Sequence, residues 1–458
     1  MAWDMDNMDD LQLAAREHLW MHFTRMGNYS KEGGEIPMIV RGEGAWLIDS
    51  HGDRKLDCLS TLFCVNIGHG RHEMAEAAAE QMKELEFCTL WSYAHPRAVQ
   101  LASQLAQLAP GDINRAFFTS GGAEAVESAI KLARAYHYAR GDGKRIKIIA
   151  RELAYHGTTM GALSLTGLPG LKVPFEPSMP GACHVPNTNL YRMPPGMREE
   201  GYAQAIEDRI LFEGPDSVAA VILEPVQNAG GCFLPPDGYF DRVREICDQY
   251  GVLLISDETI CAWGRLGEIF GCQRLGYQPD IITTAKGITS SYIPMGVMLA
   301  SEKLYEPFRE AMLPHGFTFG GHPVASAVAL KNLQIIEEEG LLENARRREP
   351  EMKHALESLR DIPLVGDVRG LGLFWAIELV SDQESKAGFT PEQQEWLLRG
   401  FLSEELYKRG IICRADDRGD PVIQLAPPLV FTPEDIGFMK SVLRSTLEDA
   451  WQELQKRR

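Results

Sequence analysis

Between about residues 72 and 328 helical periodicity alternates with short runs that are apolar almost throughout: 116–119, 146–150, 218–223, 252–256, 281–284 and 296–300. A run without polar alternation has no face to offer water. It predicts a strand buried on both sides, in a parallel or mixed sheet covered by helices. Outside this block the pattern changes. Residues 9–26 read as a helix with Leu11, Ala15, Leu19 and Phe23 along one face. Short β-rich stretches follow at 39–40 and 45–48, with a turn at 50–53. Beyond a helix at 324–338 the chain turns α+β. A helical stretch near 343–359, which Pro350 would kink or divide, leads to a strand at 371–379 and a helix at 391–409. A strand pair at 411–413 and 422–425 precedes a last helix capped by Thr432.

With 458 residues, one core is not enough. The fold class is α/β: a large domain at 72–328 with a mainly parallel sheet between helices, and a smaller α+β domain. The latter is assembled from a C-terminal part, 329–458, joined by an N-terminal segment, 1–71.

Charge and cysteine content narrow the function. The formal net charge is -18, from 64 acidic and 46 basic residues, and no basic face is in view to displace the counterions of a nucleic acid. An acidic small-molecule substrate would need a local cation. Nine scattered cysteines, an odd number with no CxxC pair, suggest a reducing compartment. The N-terminus lacks a basic region and apolar stretch, and no run is long enough to cross a bilayer, so a cytoplasmic protein without membrane contact is expected. His69, His72 and Glu73 have the wrong spacing for a helical zinc motif, and no metal is expected.

Four features fall where buried strands end, the place open α/β sheets put their ligands. Thr119-Ser120-Gly121-Gly122-Ala123-Glu124 joins a strand to a helix. Its glycines would let backbone N–H groups approach a phosphate, or the segment is a tight turn capped by Ser120. Asp257 closes an apolar run and is either a cap or the partner of a cation, such as a protonated pyridine nitrogen. Lys286 follows the strand 281–284, 29 residues on. It is either a solvated loop residue or a desolvated amine able to attack an aldehyde. Tyr155, in Tyr155-His156-Gly157, could stack on a ring or simply pack. Shared order and strand-end placement favour the functional reading of all four.

Three segments extend the pattern: Asp257-Glu258-Thr259-Ile260-Cys261-Ala262-Trp263-Gly264-Arg265-Leu266-Gly267, Ala285-Lys286-Gly287 onward to Gly296, and His315-Gly316-Phe317-Thr318-Phe319-Gly320-Gly321-His322-Pro323. In these the chain resembles the class III pyridoxal-phosphate-dependent aminotransferases (ω-aminotransferases) of PLP fold type I, from about residue 10 to the last helix. The resemblance implies pyridoxal 5'-phosphate held on Lys286 as a Schiff base, with Lys286 also carrying the catalytic proton. It implies Asp257 at the pyridine nitrogen, Tyr155 on the ring face, and Gly122, Ala123 and Thr318 around the phosphate. Thr318 would come from a neighbouring subunit, making a homodimer with interfacial sites the minimum unit, with a tetramer open. Glu224, in Glu224-Pro225-Val226, would support the site. Thr259 stands where the family usually has valine, and its added hydroxyl must find a partner.

Arg414 matches the mobile arginine that binds a carboxylate in amine–pyruvate members; the alternative is a surface arginine paired with Asp416 or Asp417. Phe63 stands where the amine–pyruvate and putrescine–pyruvate subgroup usually has tryptophan, and Trp91 is expected to line the same pocket. The expected reaction moves an amino group from a primary amine or ω-amino acid to a keto acid, with pyruvate preferred, by a ping-pong scheme. An aminomutase, racemase or decarboxylase of the same fold type would share Lys286, Asp257 and the phosphate loop.

Overall fold

The apolar runs become one seven-stranded sheet. In the computed structural model, which describes residues 7–29, 34–416 and 418–457, its order is Ile113–Thr119, Gly296–Ser301, Ile281–Thr284, Leu253–Asp257, Val218–Leu223, Lys147–Arg151 and Ala182–Val185. Gly296–Ser301 runs antiparallel to both its neighbours, and the other pairs are parallel. The C-terminal ends of six strands, at Thr119, Thr284, Asp257, Leu223, Arg151 and Val185, therefore share one edge. Val218–Leu223, Leu253–Asp257 and Ile281–Thr284 are buried along their whole length, as their lack of alternation requires. Helix Gly122–Ala139 lays Val126, Ala129, Ile130 and Ala133 on one face of this sheet, against Ile148, Ala220, Ile222 and Ile255. Within this sheet Ala182–Val185 is the strand the pattern missed; elsewhere it also missed Arg54–Asp57 and most of Val365–Leu371. Ala182–Val185 is short, mostly half-buried and closed by Pro186, so it carries little apolar signal.

The smaller sheets draw on both chain ends. Ile39–Glu43, Trp46–Asp49 and Arg54–Asp57 form an antiparallel run, and Ile411–Ile412 adds to it in parallel beside Arg54–Asp57. The third sheet has the order Val365–Leu371, Phe374–Leu379, Val422–Leu425, Arg414–Asp416, antiparallel throughout.

Four local expectations need correction. The first helix ends at His18, not Met26, because among the described residues nothing buries the end of its stripe: Leu19 and Phe23 are exposed, as is Trp20 beside them. Gln12 is buried instead, exchanging hydrogen bonds with the Ile36 backbone. Pro350 does not divide helix Leu341–Glu357, whose buried Leu341, Ala345, Met352, Ala355 and Leu356 carry it across. The stretch 371–379 is a hairpin tip and its second strand, turned at Gly372, whose φ of 60° suits glycine. Finally, 411–413 and 422–425 do not pair: the chain changes sheets at Cys413, and Arg414–Asp416 is the partner of Val422–Leu425.

Candidate active site

A cavity of about 620 Å³ opens at the shared strand edge. Lys286, Asp257, Thr259, Tyr155, Gly122, Ala123, Glu224, Phe63 and Arg414 all border it, so nine of the expected site residues converge.

Lys286 starts a single 3₁₀ turn, Lys286–Ile288, with a left-handed φ of 45°. That conformation is costly for a residue with a Cβ and persists only where surroundings over-determine it. Asn332 does so by donating to the carbonyls of Gly287 and Ile288, both at 2.9 Å. Among the described residues no hydrogen bond or ion pair reaches Lys286 Nζ, which lies 5.8 Å from the centre of the Phe63 ring. Burial pulls its pKa below the lysine range, with Cys64, Asp257 and Glu224 opposing only in part. The solvated-loop alternative does not hold.

Asp257 is 3% exposed. Its Oδ1 accepts from Thr259 N at 3.2 Å, Thr259 Oγ1 at 2.6 Å and Thr283 Oγ1 at 3.2 Å; Oδ2 lies 2.8 Å from His156 Nδ1. Burial alone would raise its pKa, but His156 and the Thr259 contacts hold it below the ordinary carboxylate range. The extra hydroxyl of Thr259 thus finds its partner in Asp257. The capping alternative is also partly true, since the Thr259 N–H bond is a cap.

Helix Gly122–Ala139 begins beside Lys286. Gly121 is its N-cap and no side chain caps it, contrary to the capping role considered for Ser120, whose own N–H donates to Glu124 Oε2 at 2.8 Å. First-turn N–H groups have no intrahelical acceptor and, with the helix dipole, favour an anion. A Cβ on Gly122 would sit 2.9 Å from Thr259 Cγ2 and 3.5 Å from Ala285 Cβ, so only glycine brings the helix start this near the lysine turn. Glu224 is buried, with Oε1 accepting from Asn228 N at 3.1 Å and Oε2 from Tyr155 N at 3.4 Å, and burial raises its pKa. Phe63, itself at φ 61°, packs edge-on against Phe374 at 5.7 Å.

Arg414 Nε lies 3.4 Å from Asp416 Oδ2 while bordering the cavity, so the ion pair and the cavity position coexist. Asp417, the other partner considered, lies outside the described residues.

Two expected residues lie elsewhere. Trp91 does not line the Lys286 cavity of its own chain. It is 62% exposed on a second cavity of about 900 Å³ with Tyr93, Val99, Met312 and Phe317. Thr318 is exposed in the loop beside it. Two residues were missed. His156 stands beside Tyr155 in the quoted motif, and the buried Asp257 was the signal that a partner was needed. Arg418 borders the cavity with its guanidinium 5.6 Å from the Tyr155 ring centre, and nothing in the sequence pattern singled it out.

The chain is similar over most of its length to known proteins. The family model for class-III aminotransferases matches residues 29–447. The chain is 54% identical over 438 residues to a probable aminotransferase of Mycobacterium tuberculosis, covering 94% of this chain and 93% of that one. It is 38% identical over 444 residues to a putrescine–pyruvate aminotransferase of Pseudomonas aeruginosa, covering 95% of each. Its fold matches the ω-transaminase of Pseudomonas jessenii solved in complex with PMP, with a TM-score of 0.91 and 34% identity over 96% of this chain and 98% of that one.

Proposed function

This chain belongs to the class-III aminotransferases, and from that premise we propose that it carries the amino group of a primary amine or ω-amino acid to pyruvate by a ping-pong scheme, using pyridoxal 5'-phosphate. The observation that carries this reading is the buried, unpaired Lys286 Nζ in one cavity with an ionised Asp257.

The residues fit the cofactor. Asp257 is the buried carboxylate a protonated pyridine nitrogen requires, and His156 Nδ1 holds it, while His156 Nε2 is itself buried with no partner among the described residues. The uncapped start of helix Gly122–Ala139, at Gly122 and Ala123, suits the phosphate, and Tyr155 suits the ring face. When bound, the cofactor supplies an electron sink for the carbanion formed at the substrate carbon. The rest falls to this chain. The depressed pKa of Lys286 keeps a share of its amine neutral, so Nζ can act as nucleophile and then take and return the proton at the substrate's amino carbon. Asp257 keeps its charge through four contacts, and Glu224 fixes the Tyr155 backbone. Phe63 walls the cavity, and Arg414 is the cation for the substrate carboxylate.

Thr318 and Trp91 act from a second copy, in a homodimer whose exposed second cavity meets the partner. The exposed apolar side chains around that cavity support this. The chain works in the cytoplasm; among the described residues no helix is long and apolar enough to cross a membrane.

The deciding test is a donor panel of amines and ω-amino acids run against pyruvate and 2-oxoglutarate, with product amino acid quantified. Alanine formed with at least one amine donor is expected. Glutamate formed in preference to alanine with every donor would overturn the choice of pyruvate.

A further inference from the structure

The hairpin that carries Arg414 also carries a second arginine to which the reaction assigns no task. Strand Arg414–Asp416 pairs antiparallel with Val422–Leu425, and Arg414 and Asp416, two residues apart, share a face. Arg418 turns back from the connecting loop onto the same carboxylate. Its Nε lies 3.1 Å from Asp416 Oδ1 and 2.7 Å from Oδ2, and its Nη2 lies 2.6 Å from Oδ2. The guanidinium also faces the Tyr155 ring at 5.6 Å, so it is fixed on two sides. Arg414 touches Asp416 more loosely, at 3.4 Å. Both arginines border the Lys286 cavity, and Asp416 is 4% exposed.

This geometry has an electrostatic consequence. A buried carboxylate deprived of its cation is strongly disfavoured. Were Arg414 the main counter-ion of Asp416, turning toward a substrate carboxylate would leave that charge exposed to the low-dielectric interior. With Arg418 hydrogen-bonded through Nε to both oxygens and its Nη2 at ion-pair distance, Asp416 stays compensated whichever way Arg414 points. The two cations hold Asp416 well ionised, which fits a shared counter-ion.

We propose that Arg418 is a positioning residue: by retaining Asp416, it lets Arg414 exchange that carboxylate for the one on a keto acid or amino acid and return to it when the substrate is a plain amine. This rests on the reading of Arg414 as the cation for the substrate carboxylate. Without Arg418, Asp416 would depend on Arg414 and hold it back, so carboxylate-bearing substrates would suffer and plain amines much less.

The test measures the two half-reactions of the holoenzyme separately, with pyruvate as acceptor and 1-phenylethylamine as a donor without a carboxylate. In Arg418→Gln the KM for pyruvate should rise about tenfold, a typical coupling between groups in one ion-pair network, while the amine KM and both rate constants move less than about threefold. Arg418→Lys should recover part of the loss. The double variant Asp416→Asn with Arg418→Gln should bring the pyruvate KM back toward wild type, which damage to the fold could not do. Equal rises in both KM values, or no recovery in the double variant, would overturn the proposal. Arg414→Gln separates the two ideas. If it leaves the pyruvate KM unchanged, the underlying reading of Arg414 fails. If it raises that KM while Arg418→Gln does not, only the role of Arg418 fails.

Discussion

The cavity at Lys286 and the cavity at Trp91, about 620 and 900 Å³, are finished to different degrees. In the first, Asp257 has a donor on each oxygen, Glu224 is hydrogen-bonded, and the strained turn at Lys286 is held by Asn332. In the second, large apolar side chains face outward: Trp91 is 62% exposed and Met312 is 81% exposed, with Tyr93 and Val99 beside them. A single chain thus completes the chemistry that needs desolvated charge, and leaves open a surface that a contiguous apolar patch marks as a contact. If that surface is where the proposed homodimer forms, the difference teaches where to look for each kind of failure. Changes at the first cavity should alter chemistry in an assembled protein. Changes at the second should alter assembly first and chemistry only through it.

The largest effect is expected at Lys286. Lys286→Ala should still bind the cofactor and keep its oligomeric state, yet lose turnover by several orders of magnitude, since a positioned proton carrier alone contributes roughly a hundred- to ten-thousand-fold. Turnover and sedimentation are measured together; near-normal turnover would refute the assigned mechanism. Borohydride reduction of the wild-type holoenzyme should fix the cofactor's mass on the peptide containing Lys286.

A smaller effect, of a different kind, is expected at the second cavity. Val99→Asp combined with Met312→Asp places charge in the apolar surface and should shift the protein toward monomer in analytical ultracentrifugation. Activity should fall in proportion to the dimer lost and recover at high protein concentration. If the monomer fraction rose without any loss of activity, the second cavity would have no part in the site.

At Thr259 the change should be slight. Thr259→Val removes the 2.6 Å hydrogen bond to Asp257 Oδ1 but leaves Thr283 and His156 on that carboxylate. One such bond is worth about 1 kcal/mol, so turnover should stay within about tenfold of wild type, with cofactor retention measured alongside.

These contrasts also mark how far the sequence could be read. Strands such as Val218–Leu223 and Ile281–Thr284 were legible to the residue, because burial on both faces leaves only one pattern. The helix at Leu11 was overextended for the opposite reason. Its apolar stripe, Leu19 and Phe23, is left exposed by the described residues, and periodicity cannot say what covers a face. Lys286, Asp257 and Tyr155 were found from their place at strand ends, and Thr259 from the family resemblance. His156 and Arg418 were not, since each works through another side chain, Asp257 or Asp416, and that partnership exists only once distant strands meet. Trp91 was placed with Phe63 because both are aromatics of one expected pocket, yet the fold sets them in different cavities.

The smallest effect concerns stability and probes the desolvation of Lys286 without any turnover. Burial lowers its pKa in the folded protein, whereas the unfolded chain has an ordinary lysine of about 10.4. Between the two values the unfolded state binds more protons, so folding releases one and stability must rise with pH across that window. Below the folded pKa both states are protonated and the folded one carries a buried ammonium, which is where Lys286 costs most. Lys286→Met removes the titration and keeps a side chain of similar length. In the cofactor-free protein, the Tm advantage of Lys286→Met over wild type should therefore be largest below the lowered pKa of Lys286 and shrink as pH rises toward the ordinary lysine range. A constant difference across that range would mean that Lys286 is solvated in the apoprotein. The completeness of the first cavity would then depend on its cofactor rather than on the chain alone.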